Sequence, residues 1–404
     1  LTCATGDAHA KLASVQELER YLAGYPAIGG NRAQSLVDGR AAYPSMLAAI
    51  AAARTSVLLE SYIFRADGTG ARFLTALCAR AAAGARVRVL VDGVGSRQIP
   101  PEFWAPLLAA GGAVEVFRPL HRFMSLGWWR FLWKRDHRKL LVVDERVAFI
   151  GGVNIADDYA PSEEGGGGWH DAHVRIEGPA AAALGQLFLR TWHQVTSSSL
   201  EVFRYGGRQP RPLDAPRNVE AAGDVSVQIL EGSLTRRHSV RKAYLHAIRT
   251  AERTIRITNA YCIPDRMVRR ALALARQRGV RVQMLLAGAT DIAAVQYASH
   301  FLYRRMLDLG IEIYEWTEHV LHAKTAVIDG VWCSIGSYNL DRRSLVHNLE
   351  ANIGCVDPTL GAALDEQFER DVMKSKPIDP KTWHRRSPLA KILELLFYQL
   401  RYLL

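Results

Sequence analysis

The chain has 404 residues, 49% of them hydrophobic, enough for sizeable cores and, by length, for two domains. A net charge of +11 calls for an anionic partner, and acidic lipid and nucleic acid both qualify on charge alone. Five scattered cysteines without a Cys-x-x-Cys pair argue against a disulfide framework or a zinc site and fit a reducing compartment.

Residues 1–36 read as an N-terminal extension without a signal peptide, and no apolar run in the chain is long enough to span a bilayer. From residue 37 a first domain is expected: a helix over 44–53, a strand over 56–64, a helix over 71–83 ending at Gly84, and a strand over 86–91. Helix between strands implies parallel pairing and an α/β layer. Glu60, near the end of the first of these strands, aligns with Asn259 of the second half and reads as a paired edge carboxylate or a wall of a cleft.

Residues 121–138 interleave Phe123, Met124, Leu126, Trp128, Trp129, Phe131, Leu132 and Trp133 with Arg122, Arg130, Lys134 and Arg135. Rings beside cations suit a membrane interface, where aromatics sit at headgroup depth and cations meet phosphates. Stacking on single-stranded nucleic acid and burial against the partner half are the other readings. The segment runs straight into His137, and we take Phe123 to Trp133, with Arg130, as membrane contacts.

From His137 the chain carries a pattern that recurs in its second half with every spacing kept. It runs His137-Arg138-Lys139, Asp144, Gly151-Gly152-Val153-Asn154, and again His322-Ala323-Lys324, Asp329, Gly336-Ser337-Tyr338-Asn339. The apolar runs 140–143 and 325–328 read as buried strands, each followed by a short strand, 147–150 or 332–335. Alternation along a strand points His137 with Lys139 and His322 with Lys324, while Asp144 and Asp329 face the other side and read as structural carboxylates. The glycine-rich turn lets the backbone approach a ligand and delivers Asn154 or Asn339.

Two imidazoles, two ammonium groups and two carboxamides around one point make a site for a phosphodiester. The lysines and amides can hold the non-bridging oxygens and stabilise transition-state charge without a metal. One histidine, neutral, can attack phosphorus, and the other, protonated, can protonate the leaving alcohol. Lysines crowding two imidazoles oppose a double charge and favour that split.

Residues 161–168 form an acidic, glycine-rich loop that reads as mobile, a possible lid and no nucleotide cradle. His170, His173, His193, His300 and His347 lack metal-ligand spacing and are taken as ordinary, so no metal and no cofactor are expected. Residues 206–223 are a linker without periodicity, and a second domain over 224–375 repeats the first: helix 240–250, strand 254–261, helix 267–278 ending at Gly279, strand 280–286. The tail, 376–404, is basic, and its apolar residues recur at helical spacing from Leu389 to Leu404, to lie on a membrane or to cap the core.

The doubled pattern resembles the phospholipase D superfamily, and within it the short bacterial cardiolipin synthases that begin directly with the catalytic region. The likeness extends from about Val37 to the end and includes Leu59-Glu60-Ser61-Tyr62-Ile63-Phe64, Val174-Arg175-Ile176-Glu177-Gly178-Pro179 and Asn348-Leu349-Glu350-Ala351-Asn352. It implies an α/β protein of two tandem α/β/α sandwich domains related by a pseudo-twofold axis, with the active site at their interface. It also implies that Asp171 and Glu350 support the motif histidines, with a surface salt bridge the plainer reading of Asp171; which acid serves which histidine is not legible. Gly152 stands where the second half has Ser337, so the first half lacks that hydroxyl.

By the same resemblance the chain is a phosphatidyltransferase. The resemblance implies His137 as the nucleophile, forming a phosphatidyl-histidine, and His322 as the acid and base. Cardiolipin would arise from phosphatidylglycerol and a second glycerophospholipid, with no nucleic acid as partner, on the cytoplasmic face of the bacterial inner membrane. A phospholipase D-type hydrolase and, further off, a nucleic-acid phosphodiesterase are the alternatives.

Overall fold

The computed structural model describes residues 26–119, 134–197, 219–232 and 238–402. The membrane contacts read at Phe123, Met124, Leu126, Trp128, Trp129, Arg130, Phe131, Leu132 and Trp133 therefore lie outside the described residues.

In the first half the elements are β1 (Ile28–Val37), α1 (Asp38–Ala52), β2 (Ser56–Ser61), α2 (Gly68–Ala82), β3 (Arg86–Asp92), α3 (Ala105–Ala109), β4 (Ala113–Phe117), β5 (Leu140–Val143), β6 (Val147–Gly151), β7 (Ala172–Glu177) and α4 (Pro179–Thr196). The second half runs β8 (Val225–Gly232), α5 (Ser239–Thr250), β9 (Thr254–Asn259), α6 (Arg266–Gln277), β10 (Arg281–Ala287), α7 (Ala293–Asp308), β11 (Glu312–Trp316), β12 (Lys324–Ile328), β13 (Trp332–Gly336), α8 (Arg342–Val346), β14 (Glu350–Val356) and α9 (Pro358–Met373). A short β15 (Lys376–Pro377), α10 (Pro380–His384) and α11 (Pro388–Gln399) close the chain.

The strands join in one sheet ordered β15-β11-β10-β9-β12-β13-β14-β8-β1-β7-β6-β5-β2-β3-β4. Apart from β15 the order is the same read outward in either direction from the β8/β1 junction, which is where a pseudo-twofold relates the halves. β2, β3 and β4 pair parallel, as do β9, β10 and β11, because a helix crosses over between each pair. The remaining strands pair antiparallel, and β1 and β8 meet at Ile28 opposite Val227, so the halves share a continuous ladder.

Helices α4 and α9 cover one face of the sheet over a core drawn from both halves, with Val142, Ile150 and Phe188 beside Ile335, Ile353 and Phe368. On the other face each half keeps its own core, Tyr43, Phe73 and Phe149 in the first, Tyr244, Leu272 and Tyr303 in the second.

Several expectations need correction. Residues 28–36, assigned to an extension, are β1 and lie at the centre of the sheet. The burial pattern of β1 is irregular and its sequence, with Gly29, Gly30 and Asn31, hides the strand; Asn31 stabilises it by bonding Ile28 O and Val225 O across the junction. Helix α1 begins at Asp38 with Pro44 inside it, held by burial of Tyr43, whose hydroxyl donates to Asn154 O at 2.7 Å and Ala156 O at 3.0 Å. Strand β2 stops at Ser61 because Ser61 Oγ donates to Ile63 O and Ile63 N to Asn154 Oδ1, which turns the chain out of the sheet.

Loop 161–168 is pinned. Gly166 N donates to Pro161 O, Gly167 N to Asp157 O and Gly168 N to Ala160 O, while Glu163 and Glu164 pair with Arg40 and Arg72. At the end of the linker, Ala222 N donates to Gly30 O, which ties it to β1.

Candidate active site

The two motif strands enter the sheet as neighbours of β2 and β9, with Glu60 opposite Leu140 and Asn259 opposite Lys324. The alignment of Glu60 with Asn259 is therefore off by one residue, and Ser61 is the counterpart of Asn259. Glu60 is neither an edge carboxylate nor a cleft wall: it is buried in a central strand and pairs with Arg138 at 2.8 Å, which also holds Asp136 at 3.1 Å and Thr191 Oγ1 at 2.5 Å. The middle residue of the first motif is thus an anchor of its strand.

Asp144 and Asp329 sit at the far ends of β5 and β12 in left-handed backbone, φ 52° and 53°, which Asp tolerates by bonding locally. Asp144 accepts the backbone N–H of Arg54, Thr55 and Ser56, each at 2.8 Å, and Asp329 those of Glu252, Arg253 and Thr254. They close the α1–β2 and α5–β9 connections and take no part in the site.

The two histidine rings face each other across the junction, 6.4 Å between centroids. Their supporting acids cross over. His137 Nδ1–H donates to Glu350 Oε2 at 3.1 Å, and His322 Nδ1–H to Asp171 Oδ2 at 2.8 Å, so each half's carboxylate serves the other half's imidazole. Backbone pairing sets this exchange: His137 N donates to Leu349 O, just before Glu350, and His322 N to His170 O, just before Asp171. Both acids are fully buried, which replaces the surface-salt-bridge reading of Asp171. Engaging Nδ1 leaves Nε2 of each ring for a ligand.

The lysines lie beside their own histidines. Lys139 Nζ donates to His137 O at 2.7 Å; Lys324 Nζ donates to His322 O and lies 2.8 Å from His322 Nδ1. Both ammonium groups are buried, and burial pushes Lys139 down to about 7 and Lys324 down to about 8, against the attraction of Glu350 and Asp171. Burial first, then the lysines, hold both histidines well below the usual imidazole range. Both rings are thereby biased toward the neutral form. Burial also raises Glu350 to about 7 and Asp171 to about 6.

The two asparagines differ. Asn154 accepts from Ile63 N at 3.0 Å and donates to Tyr159 OH at 2.6 Å, so its amide ties the motif turn to β2's exit. Asn339 Oδ1 is buried without a hydrogen-bond partner among the described residues. Ser337 Oγ donates to Glu350 Oε2, and Asn348 Nδ2 to Glu350 Oε1. In the first half a Cβ at Gly152 would approach Asp171 Oδ1 to 2.0 Å, so any side chain there, the serine of the other half included, would displace the acid.

Sequence reasoning missed several neighbours. Tyr159 lies fully buried against His322, its hydroxyl 3.3 Å from Nδ1, with no signal beyond its position after Asn154. Tyr62 and Tyr261 flank the pair edge-on, at 4.9 Å from His137 and 6.1 Å from His322, and Trp169 lies 5.9 Å from His322. His170, taken as ordinary, is buried between Asp38 at 2.8 Å and Asp371 at 2.9 Å and stacks on Trp316. Its carboxylates hold it charged, up to about 10 against the opposing effect of burial. Among the described residues no three His, Cys, Asp or Glu side chains form a metal-binding group.

A family model described as "Cardiolipin synthase, PLD-like domain" matches residues 46–192 and 244–372. Over 359 residues the chain is 31% identical to a cardiolipin synthase of Clostridium perfringens, spanning 88% of this chain and 74% of that protein. It is also 31% identical over 369 residues to cardiolipin synthase B of Salmonella typhimurium, spanning 89% and 84%. Among solved structures, a phosphatidylserine synthase of Haemophilus influenzae shares the fold, with TM-score 0.72 over 96% of this chain and 97% of that one at 14% identity.

Proposed function

The chain belongs to the cardiolipin synthase, PLD-like family, and from that premise we propose that it is a phosphatidyltransferase making cardiolipin from phosphatidylglycerol and a second glycerophospholipid. The observation that carries the reading is the pair of facing imidazoles, each backed by a carboxylate of the opposite half and flanked by a lysine.

His137 Nε2 attacks the phosphorus of the donor diester, forming a P–N bond as the bond to the departing alcohol breaks. His322 supplies the proton that this alcohol takes. An arriving diester anion raises the affinity of a buried imidazole for that proton, and Asp171 stabilises the imidazolium. In the second half-reaction His322 removes the proton of the acceptor hydroxyl, whose oxygen attacks phosphorus and releases His137. With phosphatidylglycerol as both donor and acceptor the products are cardiolipin and glycerol. Lys139 and Lys324 neutralise and orient the non-bridging oxygens through both steps, and Asn339 donates to them from Nδ2. Tyr62, Tyr261 and Trp169 wall the site with rings, which limits water as a competing acceptor. On this reading the enzyme works at the cytoplasmic face of the membrane. No helix among the described residues is long and apolar enough to cross one.

Incubation with phosphatidylglycerol vesicles in EDTA, with lipid products resolved, tests this. Cardiolipin and glycerol are expected, with turnover lost by at least about 10³-fold in His137→Ala and in His322→Ala. Phosphatidic acid in place of cardiolipin would make the enzyme a hydrolase and overturn the transferase assignment.

A further inference from the structure

Resting on that reading, we propose that the C-terminal helix α11 and the cavity at its end form a second phospholipid site, distinct from the histidine pair. There the phosphate of an anionic lipid is held and the bilayer surface docks.

Three observations converge on it. Helix α11 covers the core with one side only: Phe397 stacks on Tyr297 and Tyr398 on Phe301. Its opposite side exposes Leu389 (67%), Ile392 (62%) and Leu396 (52%), with Leu395 and Leu400 alongside, an apolar stripe at helical spacing that nothing among the described residues covers. Exposed leucines three and four apart on a helix end are costly in water, and a bilayer interface is the environment that removes that cost.

The stripe ends at the turn carrying Arg401 and Tyr402, and here a cavity of about 300 Å³ opens. Arg266, Arg269, Arg342 and Arg401 line it together with Tyr398 and Tyr402. The tyrosines hold the guanidinium groups in place: Arg342 lies over the Tyr402 ring at 4.5 Å, Arg401 over Tyr398 at 4.1 Å, and Arg269 donates to Tyr398 OH at 3.0 Å. Two carboxylates also line the cavity, but both are engaged. Asp265 pairs with Arg241 outside the cavity and caps α6, and Asp341 caps α8 through Ser344 N. Among the described residues the surplus positive charge therefore has no further carboxylate partner in the cavity, and oriented guanidinium groups are the ligands that a phosphate diester takes.

The cavity also adjoins the chemistry. Tyr338, Leu340, Asp341 and Arg342 wall it, and the same segment delivers Asn339 to the histidine site. A lipid phosphate seated on Arg342 and Arg401 thus fixes the segment that presents Asn339 while its acyl chains continue along α11. The charge complementarity selects an anionic bilayer over a second copy of this chain, itself strongly basic at +11.

The test is co-flotation of the full chain with phosphatidylcholine vesicles with and without phosphatidylglycerol. Three paired variants are compared: Arg342→Glu with Arg401→Glu, Ile392→Glu with Leu396→Glu, and a charge-matched control, Arg86→Glu with Arg249→Glu. Circular dichroism confirms folding. We expect each of the first two pairs to lose at least about tenfold in partition to the anionic vesicles, and the control to lose much less. A single variant, Ile392→Trp, guards against misfolding by testing for gain: partition rises, and the indole emission shifts to the blue on anionic vesicles only. Turnover of monomeric short-chain phosphatidylglycerol, which needs no docking, separates the two readings. If it fails in the unmodified protein while vesicle binding holds, the transferase assignment falls and this site stands. Unchanged vesicle partition in both glutamate pairs overturns the site, as does a change confined to oligomeric state, which would make the stripe an interface between copies.

Discussion

Exchanging acids between the halves makes each histidine depend on a residue more than a hundred positions away, His137 on Glu350 and His322 on Asp171. Neutralising either acid should therefore act on the opposite half's histidine. Asp171→Asn leaves the shape but removes the charge that stabilises an imidazolium on His322, so kcat for the overall transfer should fall by about 10²- to 10⁴-fold. If His322 is the acid, accumulation of a covalent lipid adduct on His137 should slow in Asp171→Asn; Glu350→Gln should also impair attack by the less oriented His137. Quenched-flow trapping of the adduct checks both.

The lysines carry a pH signature. Burial lowers Lys139 to about 7 and Lys324 to about 8, so both ammonium groups lose their proton as pH rises through that window rather than near 10. If they hold the phosphate oxygens, kcat/KM, which reports the free enzyme, should fall on an alkaline limb between about pH 7 and 8. Lys139→Arg, with a group that stays charged, should move the limb to higher pH at reduced absolute rate. A flat profile to pH 9 would show that the lysines are not charged participants.

At the level of the elements, the repeated motif and the α/β alternation were legible because they are local. Apolar runs of four residues between Lys and Asp read as buried strands, and β5 and β12 lie where those runs lie. Strand β1 was not legible: its value comes from pairing β7 and β8, a tertiary gain invisible in a polar, glycine-bearing segment. The contacts of Tyr159 with Asn154 and His322 and the double pairing of His170 were hidden for the same reason, since their partners come from other elements. The motif aspartates belong to this scale too. Asp144 satisfies three backbone N–H groups at the α1–β2 turn, so Asp144→Ala leaves three donors without their acceptor and should cost about 1–3 kcal/mol of stability. Those bonds hold the Asp144 carboxyl below its usual range, so their contribution is present above the ordinary carboxylate pKa and is lost as pH falls through the lowered one. Urea titration at pH 7 and pH 3 reads both effects, and the turnover of the folded variant at pH 7 should be unchanged.

For the whole molecule, the pseudo-dimer is built on a shared ladder and a shared core, yet the active site needs the halves in one fixed relation, because each half supplies the acid that supports the other's histidine. His170 acts at that joint. It sits just before β7, accepts the N–H of His322 at its own carbonyl, and bridges Asp38 of the first half to Asp371 of α9 in the second. The paired carboxylates raise it to about 10, well above its unfolded value, so its contribution to stability is fully present below about 6.5 and is lost as pH rises through about 10. His170→Ala should cost about 3 kcal/mol at pH 6, since it strands a buried carboxylate as well as removing a bridge. The difference between variant and parent in urea titrations should shrink steadily from pH 6.5 to 10. The bond from His322 N to His170 O is main-chain and survives the substitution, so the folded variant should keep most of its kcat. A stability difference that stays constant across that pH range would mean that the imidazole is not charged in the joint, and that backbone pairing alone holds the halves in register.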